Sequence, residues 1–128
     1  MRTITRIQPL LLSVLLTTTL AAPATPPTLN VRGSIWVADE QGSSLTVIDA
    51  TSNKVRATLS GVPMPHNVQL APDGKSAWAV LGENAQAVKI DSRTYQVLGR
   101  VDTGRSPAHV IVSPDGRRAY VTNGADGT

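Results

Sequence analysis

The sequence of 128 residues predicts an all-β protein built from a repeat, and three observations support this prediction. A shift of 42 residues aligns the chain with itself without a gap from Ser34 onward. Short apolar runs alternate with clusters of Gly, Pro and Asp, as expected for strands joined by turns. After the first 24 residues, no segment shows the 3.6-residue apolar period of a helix.

The repeat is defined by ten identities between residues 34–75 and 76–117, where about three would arise by chance. A partial third copy covers residues 118–128, so residues 34–128 hold about 2.3 copies. The residues that recur in phase are aromatic, turn-forming or strand-ending: Trp36, Trp78 and Tyr120; Pro72, Asp73 and Gly74 with Pro114, Asp115 and Gly116; and Asp49 with Asp91.

One period contains four predicted strands. The first, Asn67–Ala71, ends at a Pro-Asp-Gly turn, and Ser76–Leu81 returns beside it. A third strand spans Gln86–Asp91, and a fourth spans Gln96–Asp102. Four antiparallel strands in a period of about 40 to 45 residues are the signature of a β-propeller blade.

The burial expected for these strands agrees with stacked blades. Trp78–Val80 is apolar at consecutive positions, which predicts that neighbouring sheets cover both faces of the second strand. Apolar and polar residues alternate in Val55–Leu59, which predicts one dry and one solvated side for an outer strand.

The stretch Ser113–Asn123 (Ser-Pro-Asp-Gly-Arg-Arg-Ala-Tyr-Val-Thr-Asn) resembles the YVTN β-propeller repeat, including the four residues that name that family. The earlier copies read Trp-Ala-Val-Leu at Trp78–Leu81 and Trp-Val-Ala-Asp at Trp36–Asp39, and both keep the leading aromatic residue. The resemblance covers residues 34–128. It implies an exported protein whose complete ring has about seven blades. Related folds include the haem d1 domain of nitrite reductases, periplasmic proteins of unassigned ligand and surface-layer proteins.

A closed propeller needs at least four blades, or about 168 residues at this period. We therefore expect the chain to be the amino-terminal part of a longer protein, with an oligomer of 2.3-blade pieces as the alternative. The first blade, residues 34–60, lacks an innermost strand. We expect a carboxyl-terminal segment to supply that strand.

The first 24 residues are predicted to be a signal peptide, and residues 25–33 a linker. Arg2 and Arg6 precede the apolar run Leu10–Leu16, and small residues follow at Ala21, Ala22 and Ala24. The apolar run is shorter than the roughly 20 residues that span a bilayer, so no stable membrane anchor is expected after cleavage. The predicted location is the periplasm or the extracellular space.

Charge and motif content exclude several functions. Without Arg2 and Arg6, ten basic residues face nine acidic ones, so electrostatic binding of nucleic acid has little support. The chain has no Cys, which excludes disulfides, thiolate metal sites and a cysteine nucleophile. Gly-rich phosphate loops, Gly-x-Ser-x-Gly and His-Glu-x-x-His are absent. No catalytic residue and no metal ligand set is predicted.

The candidate ligand-binding residues are His66, Asn67 and His109, at the starts of predicted inner strands near the central channel. Neutral imidazole can bind a metal or haem iron, or transfer a proton. The two histidines are 43 residues apart, one residue out of phase, so His66 matches Ala108 and Asn67 matches His109. Because successive strand residues face opposite sides, this spacing argues against a symmetric ring of ligands. Hydrogen-bonded loop histidines are the favoured alternative.

The other repeated residues are predicted to be structural. The aromatic residues in one phase are expected to pack between blades rather than to form a platform for sugars or bases. The aspartates of the Pro-Asp-Gly turns are expected to accept backbone N–H bonds. Asp49 and Asp91 are expected to cap the turn after the third strand.

The leading functional hypothesis is an exported, non-catalytic β-propeller that binds an unknown small ligand or a protein partner. One alternative is a redox or hydrolytic domain that holds a haem, quinone or metal near His66 or His109. Another alternative is a structural surface-layer protein. The sequence assigns no cofactor.

Overall fold

The computed structural model describes residues 30–128, and within this range the chain forms nine β-strands and no helix. The predicted signal peptide and residues 25–29 of the predicted linker lie outside the described residues. The strands are β1 (Ser34–Asp39), β2 (Ser44–Asp49), β3 (Val55–Leu59), β4 (Pro65–Leu70), β5 (Ser76–Leu81), β6 (Gln86–Asp91), β7 (Val97–Asp102), β8 (Pro107–Val112) and β9 (Ala119–Asn123).

The strands form three antiparallel sheets in chain order, which we call blades 1 to 3. Blade 1 has the order β1-β2-β3, blade 2 has β4-β5-β6-β7, and blade 3 has β8-β9. The four-stranded blade 2 confirms the predicted all-β fold and its strand order. Its second and third strands have the predicted bounds, whereas its inner strand begins at Pro65, two residues before the predicted start. Within the described range, no strand pairs with the inner edge of β1.

Irregularities of the backbone repeat with the same 42-residue period. A register shift at Val47/Ile48 recurs at Lys89/Ile90, and one at Pro65/Asn67 recurs at Pro107/His109. Residues with left-handed φ also recur in phase: Ser43 (50°) with Ala85 (49°), Asn53 (56°) with Tyr95 (63°), and Met64 (45°) with Ser106 (53°). The copies therefore share local geometry even where their side chains differ.

Ala85 is a site where a substitution is expected to stabilise the protein. Its φ of 49° is strained for a residue with a Cβ, and the equivalent residue in the third copy is Gly127, with φ 66°. We expect Ala85→Gly to raise the free energy of unfolding by about 0.5 kcal/mol, because relief of that strain exceeds the entropy that glycine adds to the unfolded chain. Urea unfolding followed by tryptophan fluorescence measures this change.

The matched control is Ala87→Gly, two residues further on in β6, where the side chain is buried. Ala87 has no left-handed φ, so the same substitution there is expected to lower the free energy of unfolding by about 1 kcal/mol. Equal losses at the two positions would contradict the strain assigned to Ala85.

Blades 1 and 2 enclose the larger apolar core between them. Trp36 and Val68 pack at its border. Its buried members are Leu45, Val62, Ala79, Leu81, Val88 and Ile90. Leu45 and Leu81 have no exposed surface, and full burial of such a side chain contributes about 1.5 to 3 kcal/mol. Burial of this shared surface fixes the position of blade 2 against blade 1.

A second, smaller core lies between blades 2 and 3. Val80, Ala87 and Val110 are buried in it, with Trp78 packed against them. Because Ala79 faces blade 1 and Val80 faces blade 3, both faces of β5 are covered, as the sequence predicted.

Exposure on the outer surfaces departs from the predicted burial pattern in two places. Tyr120 is in phase with Trp36 and Trp78, but it is 57% exposed, because no described sheet covers that face of blade 3. In β3, Ala57 and Leu59 are half-buried as predicted, whereas Val55 at the start of the strand is 61% exposed. Among the three aromatic residues in this phase of the repeat, packing between described blades is therefore observed for Trp36 and Trp78 but not for Tyr120.

Candidate functional site

The inner strands β4 and β8 lie next to each other and begin in the same way. Each starts with a buried proline, Pro65 or Pro107, preceded by a residue with left-handed φ. Each then has a bulge at its second residue, which is His66 in β4 and Ala108 in β8. A bulge interrupts the alternation of side chains between the two faces of a strand. The bulges therefore change the direction of the side chains at the start of both strands.

This geometry brings the two histidines together. Their ring centroids are 5.6 Å apart, and the ring planes meet at 81°. The Nδ1 atom of His66 lies 2.8 Å from the carbonyl oxygen of Ala108. Both histidines are exposed. The out-of-phase spacing argued against a ring of equivalent ligands, and the structure instead shows a contact pair formed by residues at different repeat positions.

The side chain of Asn67 joins blades 2 and 3 by binding to the main chain of blade 3. Its Oδ1 atom accepts a hydrogen bond from the backbone N–H of Val110, at 3.1 Å. The side chain is half-buried, and Val110 is only 2% exposed. This candidate ligand residue therefore has a structural contact of its own. His109, its equivalent in β8, instead donates its backbone N–H to the hydroxyl of Thr122.

A cleft of about 330 Å³ opens beside His66, at the end of the blades where the inner strands begin. Its lining residues come from the first residues of β4 and β8 and from loops of all three blades. They include Glu40 of blade 1, Met64 and Gly82 around blade 2, and Ser106 before blade 3. Sequence reasoning missed Glu40 and Met64, although both belong to loops adjacent to predicted strands. We call this cleft, together with His109, the channel-mouth site.

The turn aspartates behave as capping groups at the opposite ends of the strands. Asp49 Oδ1 accepts the backbone N–H groups of Thr51 and Ser52, and its Oδ2 pairs with Arg56. The Ser52 N–H, with the Arg56 guanidinium, lowers the pKa of Asp49 from 3.8 to about 2.

Two other aspartates are held in similar turns. The backbone N–H groups of Thr94 and Arg93 lower the pKa of Asp91. Leu98 occupies the position equivalent to Arg56, so Asp91 lacks that ion pair, and the nearby charge of Arg93 makes a smaller contribution to lowering its pKa. In the Pro-Asp-Gly turn of blade 3, the Ser113 hydroxyl is the main group that lowers the pKa of Asp115.

Acid is expected to weaken these turns. A carboxyl whose folded pKa lies below its ordinary value stabilises the fold above about pH 4, and this contribution is lost as the pH falls toward 2. We expect Asp49→Asn to keep the turn acceptor and lose the charge. The difference in free energy of unfolding between wild type and Asp49→Asn should therefore shrink between pH 5 and pH 2, as measured by urea unfolding at each pH.

Glu83→Gln serves as the control for net charge, since it removes one carboxylate from an exposed turn residue. A difference between wild type and Asp49→Asn that stays constant across this pH range would contradict the role given to the Asp49 charge.

The repeated tryptophans have packing contacts, and Trp78 also lines an open cleft of about 330 Å³ between blades 2 and 3. Trp36 meets the ring of Tyr95 edge-on, with centroids 5.8 Å apart. The Lys89 ammonium nitrogen lies 5.8 Å from the centroid of the Trp78 ring. Both indoles are partly covered by neighbouring groups.

Residues 30–128 hold no group of three or more His, Cys, Asp or Glu side chains placed to bind a metal ion. In the same range, no helix has the length and apolarity needed to cross a membrane.

Comparison with known proteins relates this arrangement to larger propellers. No protein-family model matches the chain. The chain is 25% identical over 87 residues to the uncharacterized protein YncE of Salmonella typhimurium, a match that covers 68% of this chain and 24% of that protein.

Two solved structures show the same arrangement of blades. Hydrazine synthase of Kuenenia stuttgartiensis superposes with a TM-score of 0.68 at 26% identity, over 70% of this chain and 26% of that chain. The dihydro-haem d1 dehydrogenase NirN, solved in complex with DHE, has a TM-score of 0.63 at 20% identity, over 79% of this chain and 21% of that chain. The present chain thus spans about a quarter of the length of each protein it matches.

The blades and these likenesses define the chain as a β-propeller repeat segment. Within that class, its likeness is to YncE-like β-propeller proteins, which confirms the family resemblance indicated by the repeat.

Proposed function

We propose that this chain is part of an exported β-propeller that binds a ligand at the channel-mouth site and carries out no chemistry of its own. The observation that supports this most is the cleft beside His66, where exposed polar side chains lie on strand starts and loops held by three packed sheets. Binding residues are commonly carried on loops that a rigid scaffold positions. Export is proposed from the predicted signal peptide of residues 1–24.

The hydrogen bonds of the histidines favour binding over catalysis. A catalytic imidazole is usually oriented by a carboxylate and placed beside a nucleophile. Among the described residues, His66 instead bonds to the main-chain oxygen of Ala108, and its ring neighbour is His109. This arrangement presents two imidazoles to a ligand without an oriented acid–base pair.

A redox domain is the second candidate function. NirN, a dehydrogenase solved in complex with DHE, and hydrazine synthase both contain blades of this shape. In this alternative, the complete ring holds a haem or a quinone against His66 or His109. Visible absorbance of the purified full-length protein distinguishes this candidate from the first, because a colourless protein without a bound chromophore contradicts it.

Native mass spectrometry of the full-length protein, purified from the exported fraction, tests the proposed function. Gly82 lines the cleft and has room for a side chain, since an added Cβ would approach no atom closer than 3.4 Å. We expect a bound ligand mass in the wild-type protein and its loss in Gly82→Gln, which fills the cleft. Gly99→Gln is the matched control, because a Cβ at Gly99 on the exposed strand β7 meets nothing within 4 Å.

Three outcomes would contradict the proposal. These are a wild-type protein that carries no ligand, a ligand that persists in Gly82→Gln, and a full-length protein that stays in the cytoplasm.

A further inference from the structure

The histidine pair suggests which class of ligand the channel-mouth site takes. His66 and His109 lie on adjacent inner strands, and both rings are exposed. Their centroids are 5.6 Å apart. Two imidazoles that bind one ion through metal–nitrogen bonds of about 2 Å place their ring centroids about 5 to 6 Å apart. The observed separation therefore suits two ligands of a single ion.

The hydrogen bond of His66 also prepares its ring for a metal. A carbonyl oxygen can only accept, so the 2.8 Å contact with Ala108 places the proton of the neutral ring on Nδ1. The lone pair is then on Nε2, where it is free to bind a cation. Metal-binding histidines commonly donate their other ring N–H to a backbone carbonyl in this way, which fixes the orientation of the ring.

The groups around the pair favour a positively charged ligand. Glu40 and Met64 line the cleft with His66, and neither Lys nor Arg is among the described lining residues. Arg105, which precedes the lining residue Ser106, is paired with Asp126, with its Nε 2.7 Å from the carboxylate. Its charge is therefore compensated by a carboxylate of the turn that follows β9.

We infer that His66 and His109 form a two-imidazole site for a transition-metal ion of the Cu²⁺, Ni²⁺ and Zn²⁺ class. Imidazole ligands select these ions over Ca²⁺ and Mg²⁺, which take oxygen ligands, and Cu²⁺ binds most tightly among the divalent ions of the series. The remaining coordination positions are open to water or to Met64, which lines the cleft with His66. This inference rests on the proposed function, since it names the ligand class of the same site.

Titration with Cu²⁺ tests the site directly. The full-length protein is prepared without a polyhistidine tag, and its electron paramagnetic resonance spectrum is recorded with one equivalent of Cu²⁺. We expect nitrogen hyperfine splitting from two imidazoles. We also expect at least tenfold weaker binding in His66→Asn and in His109→Asn. The Cu²⁺ spectrum should persist in the presence of millimolar Ca²⁺ or Mg²⁺.

Gly99→Gln is again the control and is expected to bind Cu²⁺ like the wild type. Circular dichroism shows whether each histidine variant is folded, so a lost signal can be assigned to the missing ligand. Splitting from a single nitrogen, or an affinity that neither histidine substitution changes, would overturn the inference. If Cu²⁺ fails to bind while the native mass spectrum still shows a ligand lost in Gly82→Gln, the metal assignment alone fails. If neither is seen, the proposed function fails with it.

Discussion

Leu81→Ala is expected to lower the free energy of unfolding by about 3 kcal/mol. Leu81 is fully buried at the end of β5. It belongs to the core between blades 1 and 2, together with Leu45 and Ile90. Truncation removes apolar contacts and leaves a cavity that the sheets on either side can fill only in part. Urea unfolding followed by circular dichroism measures the loss, and tryptophan fluorescence reports on the indole of Trp36 beside the same core.

Leu98→Ala provides the matched control for this prediction. Leu98 is in β7 of the same blade but is 57% exposed. Its truncation is expected to change the free energy of unfolding by less than about 0.5 kcal/mol. Similar losses at the two positions would show that the surface between blades 1 and 2 is not the main stabilising contact.

Asn67→Leu is expected to lower the free energy of unfolding by about 1 to 3 kcal/mol. The substitution removes the oxygen that accepts the backbone N–H of Val110, a residue buried between blades 2 and 3. A buried donor left without a partner loses its hydration without compensation. The same urea experiment measures the effect.

Two further variants separate the hydrogen bond from other effects of the change. Asn67→Asp keeps an acceptor oxygen at the same place and should recover most of the lost stability. Gln69→Leu makes the same change to an apolar side chain two residues further along β4 and is expected to cost little. If Asn67→Leu and Gln69→Leu had equal effects, the structural role of Asn67 would be wrong.

The repeat made the strands predictable from the sequence, because each in-phase turn fixes where a strand starts or stops. The Pro-Asp-Gly motif at Pro72–Gly74 placed the turn between β4 and β5, with Gly74 at φ 68°. The consecutive apolar residues Trp78–Val80 also predicted correctly that both faces of β5 are covered. The exposure of Tyr120 was not predicted, since a pattern in the sequence does not say which neighbouring sheet is present.

The candidate site was less predictable than the strands. Successive side chains along a regular strand point to opposite faces of the sheet. His66 and His109 are one repeat position out of phase, so they were not expected to act as equivalent ligands. The bulges at His66 and Ala108 alter this alternation, and the sequence carries no marker for them except the proline before each. Met64 and Glu40 were missed because loop residues join the cleft through the packing of separate blades.

Three side chains of blade 2 form hydrogen bonds with main-chain atoms outside that blade. His66 reaches the carbonyl of Ala108, Asn67 reaches the N–H of Val110, and Arg100 donates to the carbonyl of Gly61. Because every amino acid supplies that carbonyl, and all but proline supply that N–H, the receiving positions are free to drift during evolution. Adjacent copies can therefore diverge widely in sequence while the hydrogen bonds between them are preserved.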